Sequence, residues 1–380
     1  MPSWKNEIRI SINSLNFPDL EVAGLFLNDD YLSYQELSDS KFVYAKGRFL
    51  TAVNFCRGYL QGQSEYLVKT SGSTGPPKTI SLSRHQLKTS AQMTIDALAL
   101  KPGYKSLVCI STDHIGGKMM LVRGMELGMD LYLVAPSSHI NIKSLPGIDF
   151  VALVPLQVQA LIQSDHGRDF MSSCRSIIIG GVTVEESLLK NLEQFRCPIY
   201  HTFGMTETAS HFALRRLNGP EKQQTYHALE GIELSTDDRG CLIVSGEITN
   251  NKPLITNDLI QLTNSNTFRW LGRWDRVVNT GGYKVHPETL QPTIQRIFNS
   301  INLDADFVVL GLEHSRWGQQ VTLVLETEPL SKDLESQIIN MLNKELHPYQ
   351  LPKEFRYLRV FPKTSSGKLD LTKVNQLLAR

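Results

Sequence analysis

Residues 69–78, Lys-Thr-Ser-Gly-Ser-Thr-Gly-Pro-Pro-Lys, set four hydroxyl side chains and two glycines ahead of a lysine. Such a loop can wrap a polyphosphate. Gly72 and Gly75 let the backbone approach an anion closely, in conformations that a Cβ would forbid. Thr70, Ser71, Ser73 and Thr74 supply hydroxyl donors, and Lys78 supplies a charge that can follow the phosphates. The glycine spacing differs from that of the GxxxxGK[ST] loop. On its own the stretch also reads as a linker.

Three further segments narrow the chemistry. His201-Thr-Phe-Gly-Met-Thr-Glu-Thr-Ala-Ser210 carries a lone carboxylate, Glu207, among hydroxyls. A carboxylate beside a phosphate loop suits Mg²⁺, which takes oxygen ligands and phosphate together; alone it reads as a solvated loop glutamate. Leu271-Gly-Arg-Trp-Asp-Arg-Val-Val-Asn-Thr-Gly-Gly-Tyr-Lys-Val-His-Pro-Glu288 offers an Arg–Asp pair and a double glycine, or an interdomain linker and hairpin. Phe361-Pro-Lys-Thr-Ser-Ser-Gly-Lys-Leu-Asp370 presents Lys368 on a glycine-containing loop, which could equally be a solvated terminal lysine.

The elements that would hold these segments follow from apolar patterning. Leu107–Ile110, Leu131–Ala135, Phe150–Val154 and Ile177–Ile179 read as buried strands, and Cys197–Tyr200 as another. Between them, Ser83–Leu100, Gly116–Leu127, Leu156–Gln163 and Val184–Phe195 show helical spacing, the last opened by a capping box at Thr183-Val-Glu-Glu186. Near-continuous apolar strands alternating with helices imply an α/β fold: a mainly parallel sheet covered on both faces. From about residue 225 short strands dominate (Leu242–Ser245, Leu259–Thr263, Phe268–Leu271), a small β-rich subdomain. After Arg273, strands at Phe307–Leu310, Val321–Glu326 and Phe355–Val360 and a helix at Leu334–Leu346 suggest an α+β C-terminal domain. The expected division is therefore 1–273, a hinge at 274–275, and 276–380.

Composition excludes several partners. The 39 Lys and Arg balance 38 Asp and Glu, which argues against nucleic acid or an anionic membrane surface. Five scattered cysteines without CxxC pairing suit a reducing compartment and no structural zinc. The first residues are charged where a signal peptide would be apolar, and no apolar run approaches the roughly 18 residues that span a bilayer. A soluble cytoplasmic protein is expected.

The four segments, in this order, resemble the adenylate-forming superfamily of acyl-CoA synthetases, adenylation domains and luciferases, over about Tyr66 to Lys373. The resemblance implies an acid–CoA ligase using ATP, Mg²⁺ and coenzyme A, with a large AMP-binding domain and a small mobile one. It implies that Thr70–Lys78 encloses the β- and γ-phosphates. Gly180 and Gly181 would line the adenine pocket with Phe203 and Gly204, Phe203 stacking on the base. Thr206 would touch the α-phosphate and Glu207 would hold Mg²⁺. Asp258, assisted by Arg273, would bind the ribose, although Thr256-Asn-Asp258 replaces the usual Thr-Gly-Asp. Asp275 would be the hinge, Gly282 would border the pantetheine channel, and Lys368 would be the adenylation lysine.

Family members usually carry well over a hundred residues before the phosphate loop; here it begins near residue 70. A compact ligase of this shape resembles the short o-succinylbenzoate–CoA ligases of menaquinone biosynthesis. In Ser111-Thr-Asp-His-Ile-Gly-Gly-Lys-Met-Met-Leu-Val-Arg123, His114 would stand at the mouth of the acid pocket, and Gly116 and Gly117 would leave space for an aromatic ring. Lys118 or Arg123 could pair with a second carboxylate, or lie on a solvated helix face. Other readings stay open: a ligase for another aryl or medium-chain acid, an amino-acid-activating enzyme loading a carrier protein (with Asp113 for the amine), or a regulatory nucleotide binder. A homodimer is compatible with all of them.

Overall fold

In a computed structural model of the chain, residues 23–27, 30–42, 44, 47–69, 78–364 and 369–378 are described. The strand Phe150–Leu153 shows how the sequence folds. Phe150 and Ala152 pack into one core, with the helices Leu50–Leu60, Arg84–Ala97 and Ile115–Leu127, while Val151 and Leu153 pack into another, with Pro155–Ile162, Asp165–Ser173 and Glu186–Leu192. Ser176–Ile179 divides its isoleucines in the same way. An uninterrupted apolar strand is therefore buried on both faces, alternate residues serving opposite layers.

The strands lie in one thirteen-stranded sheet among the described residues. Its parallel half runs in the order Gly24–Leu27, Asp130–Leu133, Lys105–Val108, Phe150–Leu153, Ser176–Ile179, Ile199–Met205. Chain order reverses around Lys105–Val108, whose two neighbours are the next two strands in sequence. Ligands of open α/β sheets bind at the carboxyl ends of strands beside such a reversal. Among the loops leaving that edge are 109–114, 180–185 and the turn after Met205.

The sheet continues without a break into antiparallel strands: Ser210–Arg216, Tyr226–Ala228, Thr267–Arg273, Leu254–Leu262, Cys241–Ser245 and Glu233–Thr236. The β-rich region thus extends the main sheet edge to edge and has its own core around Phe212, Leu242 and Phe268. Two local readings are corrected. The strand expected at Cys197–Tyr200 runs from Ile199 to Met205, through residues read as a loop, because it pairs on both sides. The helix expected from Val184 begins at Glu186 with Glu185 before it and no side-chain cap, so Thr183 forms no capping box.

A separate antiparallel hairpin, Glu65–Lys69 with Thr79–Ser83, carries the glycine-hydroxyl loop: Lys69 pairs with Thr79, so residues 70–78 connect its arms. Beyond Arg273 a second, five-stranded sheet forms from Val278–Thr280, Tyr283–Val285, Phe307–His314, Gly318–Glu326 and Glu354–Leu358. The helices Pro287–Ser300 and Lys332–Leu342 cover one face, and Val374 of the helix Leu371–Leu378 packs on the other. No helix among the described residues is long and apolar enough to cross a membrane.

Candidate nucleotide and acid site

The glutamate turn is built by a close strand crossing. A Cβ on Gly204 would lie 2.2 Å from the Ser210 carbonyl oxygen, so only glycine lets the two strands meet there. Thr206–Thr208 then forms one tight turn, and Ala209 takes φ +57° to reverse the chain. The Thr208 hydroxyl accepts from the Met205 N–H at 3.1 Å and donates to the Ser210 carbonyl at 2.7 Å, pinning the turn from inside. Glu207 and Thr206 project half-buried from it, and Glu207 has no hydrogen-bond or ion-pair partner among the described residues.

The hairpin strand Thr79–Ser83 packs against this turn. The stem of the glycine-hydroxyl loop and the glutamate therefore share one side of the molecule. Thr70, Ser71, Gly72, Ser73, Thr74 and Gly75 lie outside the described residues, as does Lys368; Lys78 stands exposed at the foot of the hairpin. A carboxylate unpaired among the described residues, on the same side as the stem of the glycine-hydroxyl loop, fits Mg²⁺, which takes most of its ligands from phosphate and water. No group of three His, Cys, Asp or Glu that would suit a protein-ligated metal occurs among the described residues.

Gly180 and Gly181 leave the end of Ser176–Ile179 at the same edge. A Cβ on Gly180 would meet the Thr202 hydroxyl at 2.5 Å, and Gly181 has φ +95°. Beneath them, His201 Nε2 lies 3.1 Å from the Val182 carbonyl and Nδ1 lies 2.6 Å from the Tyr226 hydroxyl. Both residues escaped assignment in the sequence: His201 stood within a quoted segment but without a role, and Tyr226 lay outside all four. Phe203 is half-buried, with its ring against Phe212, Tyr226 and Phe268. It is anchored in that cluster, which limits it to offering its remaining surface to a base.

Asp258 and Arg273 are cross-strand partners. Asp258 is buried; its Oδ1 accepts from Trp270 Nε1 at 3.1 Å, and its Oδ2 lies 3.9 Å from Arg273. Burial pushes its carboxyl up and Arg273 pulls it back. Arg273 is bidentate on Asp275, at 2.9 and 2.8 Å, so the ribose and hinge candidates form one charged chain. Asn257, the departure from the family pattern, points its side-chain oxygen to Arg239 and leaves Asp258 undisturbed. Gly282 sits exposed at φ +85° in the hairpin turn of the second sheet.

The acid candidates lie on the helix Ile115–Leu127, with His114 as its half-buried N-cap. Two expectations fail here. A Cβ on Gly117 would come within 2.3 Å of the Ser111 carbonyl, so that glycine admits the 111–112 backbone and leaves no room for an aromatic ring. Neither Lys118 nor Arg123 lies on a solvated face, because the helix is packed between Leu50–Leu60, Arg84–Ala97 and the sheet. Lys118 donates to the Thr112 carbonyl at 2.6 Å and lies 5.2 Å from the Phe55 ring centre.

Arg123 is 1% exposed. Its Nη2 donates to Ser210 Oγ at 3.1 Å, its Nε has no partner, and it forms no ion pair among the described residues. Burial pulls the guanidinium down to about 9, still protonated at neutral pH. An uncompensated buried cation costs several kcal/mol. It stands one hydrogen bond from the glutamate turn.

A family profile described as AMP-binding enzyme matches residues 64–237. A solved acyl-CoA synthetase (AMP-forming)/AMP-acid ligase II-like protein from Dyadobacter fermentans is 36% identical, with a TM-score of 0.58. The match covers 88% of this chain and 96% of that one. The chain belongs to the AMP-binding enzyme family. Among curated members, the 2-succinylbenzoate–CoA ligase of Bacillus cereus is 25% identical over 343 residues, 82% of this chain and 70% of that protein. The o-succinylbenzoate coenzyme A synthetase of Bacillus subtilis, solved with ATP and magnesium, is 22% identical with a TM-score of 0.68. It shares the family fold over 81% of this chain and 69% of its own.

Proposed function

We propose that this AMP-forming acid–CoA ligase acts on 2-succinylbenzoate, the aryl dicarboxylate of menaquinone biosynthesis. The observation that carries the reading is Arg123: a buried guanidinium without a carboxylate partner among the described residues, hydrogen-bonded to Ser210 beside the glutamate turn. A substrate with a second carboxylate would supply the missing charge. A plain aryl or fatty acid would leave it unmatched.

In the proposed reaction a carboxylate oxygen attacks the α-phosphate of ATP and pyrophosphate leaves; the CoA thiol then attacks the acyl carbon and AMP leaves. Two anions must meet in the first step, so positioning and charge neutralisation dominate. Mg²⁺, held by Glu207 when bound, would screen the phosphate charge. Residues 70–78 would hold the outer phosphates, Thr206 the α-phosphate, and Gly180, Gly181, Phe203 and Gly204 the adenine. Asp258, steadied by Trp270 and Arg273, would take the ribose hydroxyls. Lys368 would meet the charge that develops at phosphorus. Residues 276–380 would turn about Asp275 between the two steps, bringing Gly282 to the pantetheine channel.

A spectrophotometric panel of carboxylic acids with ATP, Mg²⁺ and CoA tests the reading. It expects 2-succinylbenzoate to be turned over well ahead of benzoate and octanoate. Faster turnover of either monoacid refutes the substrate while leaving the ligase in place.

A further inference from the structure

The turn Gly180-Gly181-Val182 sits at the carboxyl end of the strand Ser176–Ile179, with Gly181 in the left-handed region and Val182 48% exposed. Its Val182 carbonyl is tied to His201 Nε2. A carbonyl can only accept, so the imidazole proton lies on Nε2. Burial, reinforced by Arg215, pushes His201 down to about 4 and keeps the ring neutral. Nδ1 therefore carries a lone pair, and the Tyr226 hydroxyl at 2.6 Å must donate to it. Burial also raises the Tyr226 phenol to about 12, so that proton stays in place.

The result is a one-way chain, Tyr226 O–H to His201 and His201 N–H to the Val182 carbonyl. It joins the antiparallel half of the sheet to the glycine turn of the parallel half. Tyr226 is itself fixed by ring contacts to Phe203 and Phe268. We propose that His201 and Tyr226 are positioning residues for the adenine base, fixing the Val182 carbonyl and through it the Gly180–Gly181 turn. This rests on the reading that the turn borders the nucleotide. Without the Tyr226 hydroxyl, Nδ1 loses its partner and the imidazole loses its far-side anchor. The ring is then held only through its Nε2–H bond to the Val182 carbonyl, so it can tilt and loosen the turn.

Calorimetric binding of AMP to Tyr226→Phe, His201→Phe, His201→Gln and Gly181→Val tests this without turnover. Alongside it, steady-state kinetics, thermal unfolding and ¹⁵N histidine spectra are measured. Tyr226→Phe and His201→Phe should weaken AMP and raise the KM for ATP about ten-fold, the worth of one such hydrogen bond. The kcat and the KM for the acid should change less than about two-fold. His201→Gln, whose amide can both donate and accept, should keep most of the affinity. The Nε2–H tautomer should be the single form in the parent, and the Nδ1 resonance should shift in Tyr226→Phe as it loses its donor. Unchanged AMP affinity in Tyr226→Phe beside weakened binding in Gly181→Val overturns the positioning role and spares the pocket reading. Unchanged affinity in both removes the pocket reading and the positioning role together. An equal loss for ATP, acid and kcat marks a folding defect and also overturns the proposal.

Discussion

If Arg123 meets the second carboxylate of the proposed substrate, it sets stability against function in a single side chain. Replacing an uncompensated buried charge by an apolar group of similar volume is neutral or stabilising by about 1–4 kcal/mol. Arg123→Met should therefore raise the melting temperature. The same change should raise the KM for 2-succinylbenzoate by about 10- to 100-fold, the loss of a charge-assisted pair, while sparing a monoacid. A matched loss on both acids would remove Arg123 from recognition. The buried histidines set a second expectation. His201 is pushed down to about 4 and His211, buried beside Arg123, is depressed too. The unfolded chain, titrating near 6.5, then binds more protons than the folded one, so stability rises with pH across the window from 4 to 6.5. For His201 alone the difference is about 3 kcal/mol. Urea unfolding of His201→Gln should show a flatter pH dependence in that window than the parent.

The elements were legible where one physical pattern dominated. Phe150–Leu153 and Ser176–Ile179 are apolar without interruption, and that alone implied burial on both faces. The helix Ile115–Leu127 was located, yet its two cations were left free to face solvent. Its sequence is apolar nearly all round, and such a helix is buried. The glutamate segment misled for a different reason. Glycine and threonine suggest a loop, but Gly204 is there because two strands cross too closely for a Cβ. Sequence shows the residue and hides the neighbour that demands it. Gly204→Ala should accordingly part the strands, cost about 1–3 kcal/mol, and shift Glu207. Chemical denaturation and the Mg²⁺ dependence of pyrophosphate release check the two effects. Gly282→Ala has open space around its Cβ, so its cost should be only the left-handed backbone, about 1–2 kcal/mol.

At the scale of the whole molecule, the junction between the two sheets is where the proposed turn between two steps would have to occur. Asp258, Arg273 and Asp275 form a chain from the ribose candidate to the hinge candidate within a few residues. Just beyond, Gly272 at φ +139° admits Glu288 of the second sheet's first helix, whose Oε2 would lie 2.5 Å from a Cβ there. Glu288 also pairs with Arg276 at 3.4 Å. Of these groups, Glu288 against Gly272 brings the two units together, while Arg276 steadies Glu288 within its own unit. If the C-terminal unit turns about Asp275, the segment carrying Lys368 and the Gly282 hairpin, far apart in sequence, would serve different half-reactions. Lys368→Ala should then abolish adenylate formation yet largely spare CoA attack on preformed acyl-adenylate. Gly282→Leu should do the reverse, since a side chain beside the proposed thiol path would leave phosphate chemistry untouched. Pyrophosphate release reports the first step, and thioester formation from supplied adenylate reports the second. Loss of the same single step in both variants would refute the two-pose mechanism, because it would place the lysine loop and the Gly282 hairpin in one half-reaction.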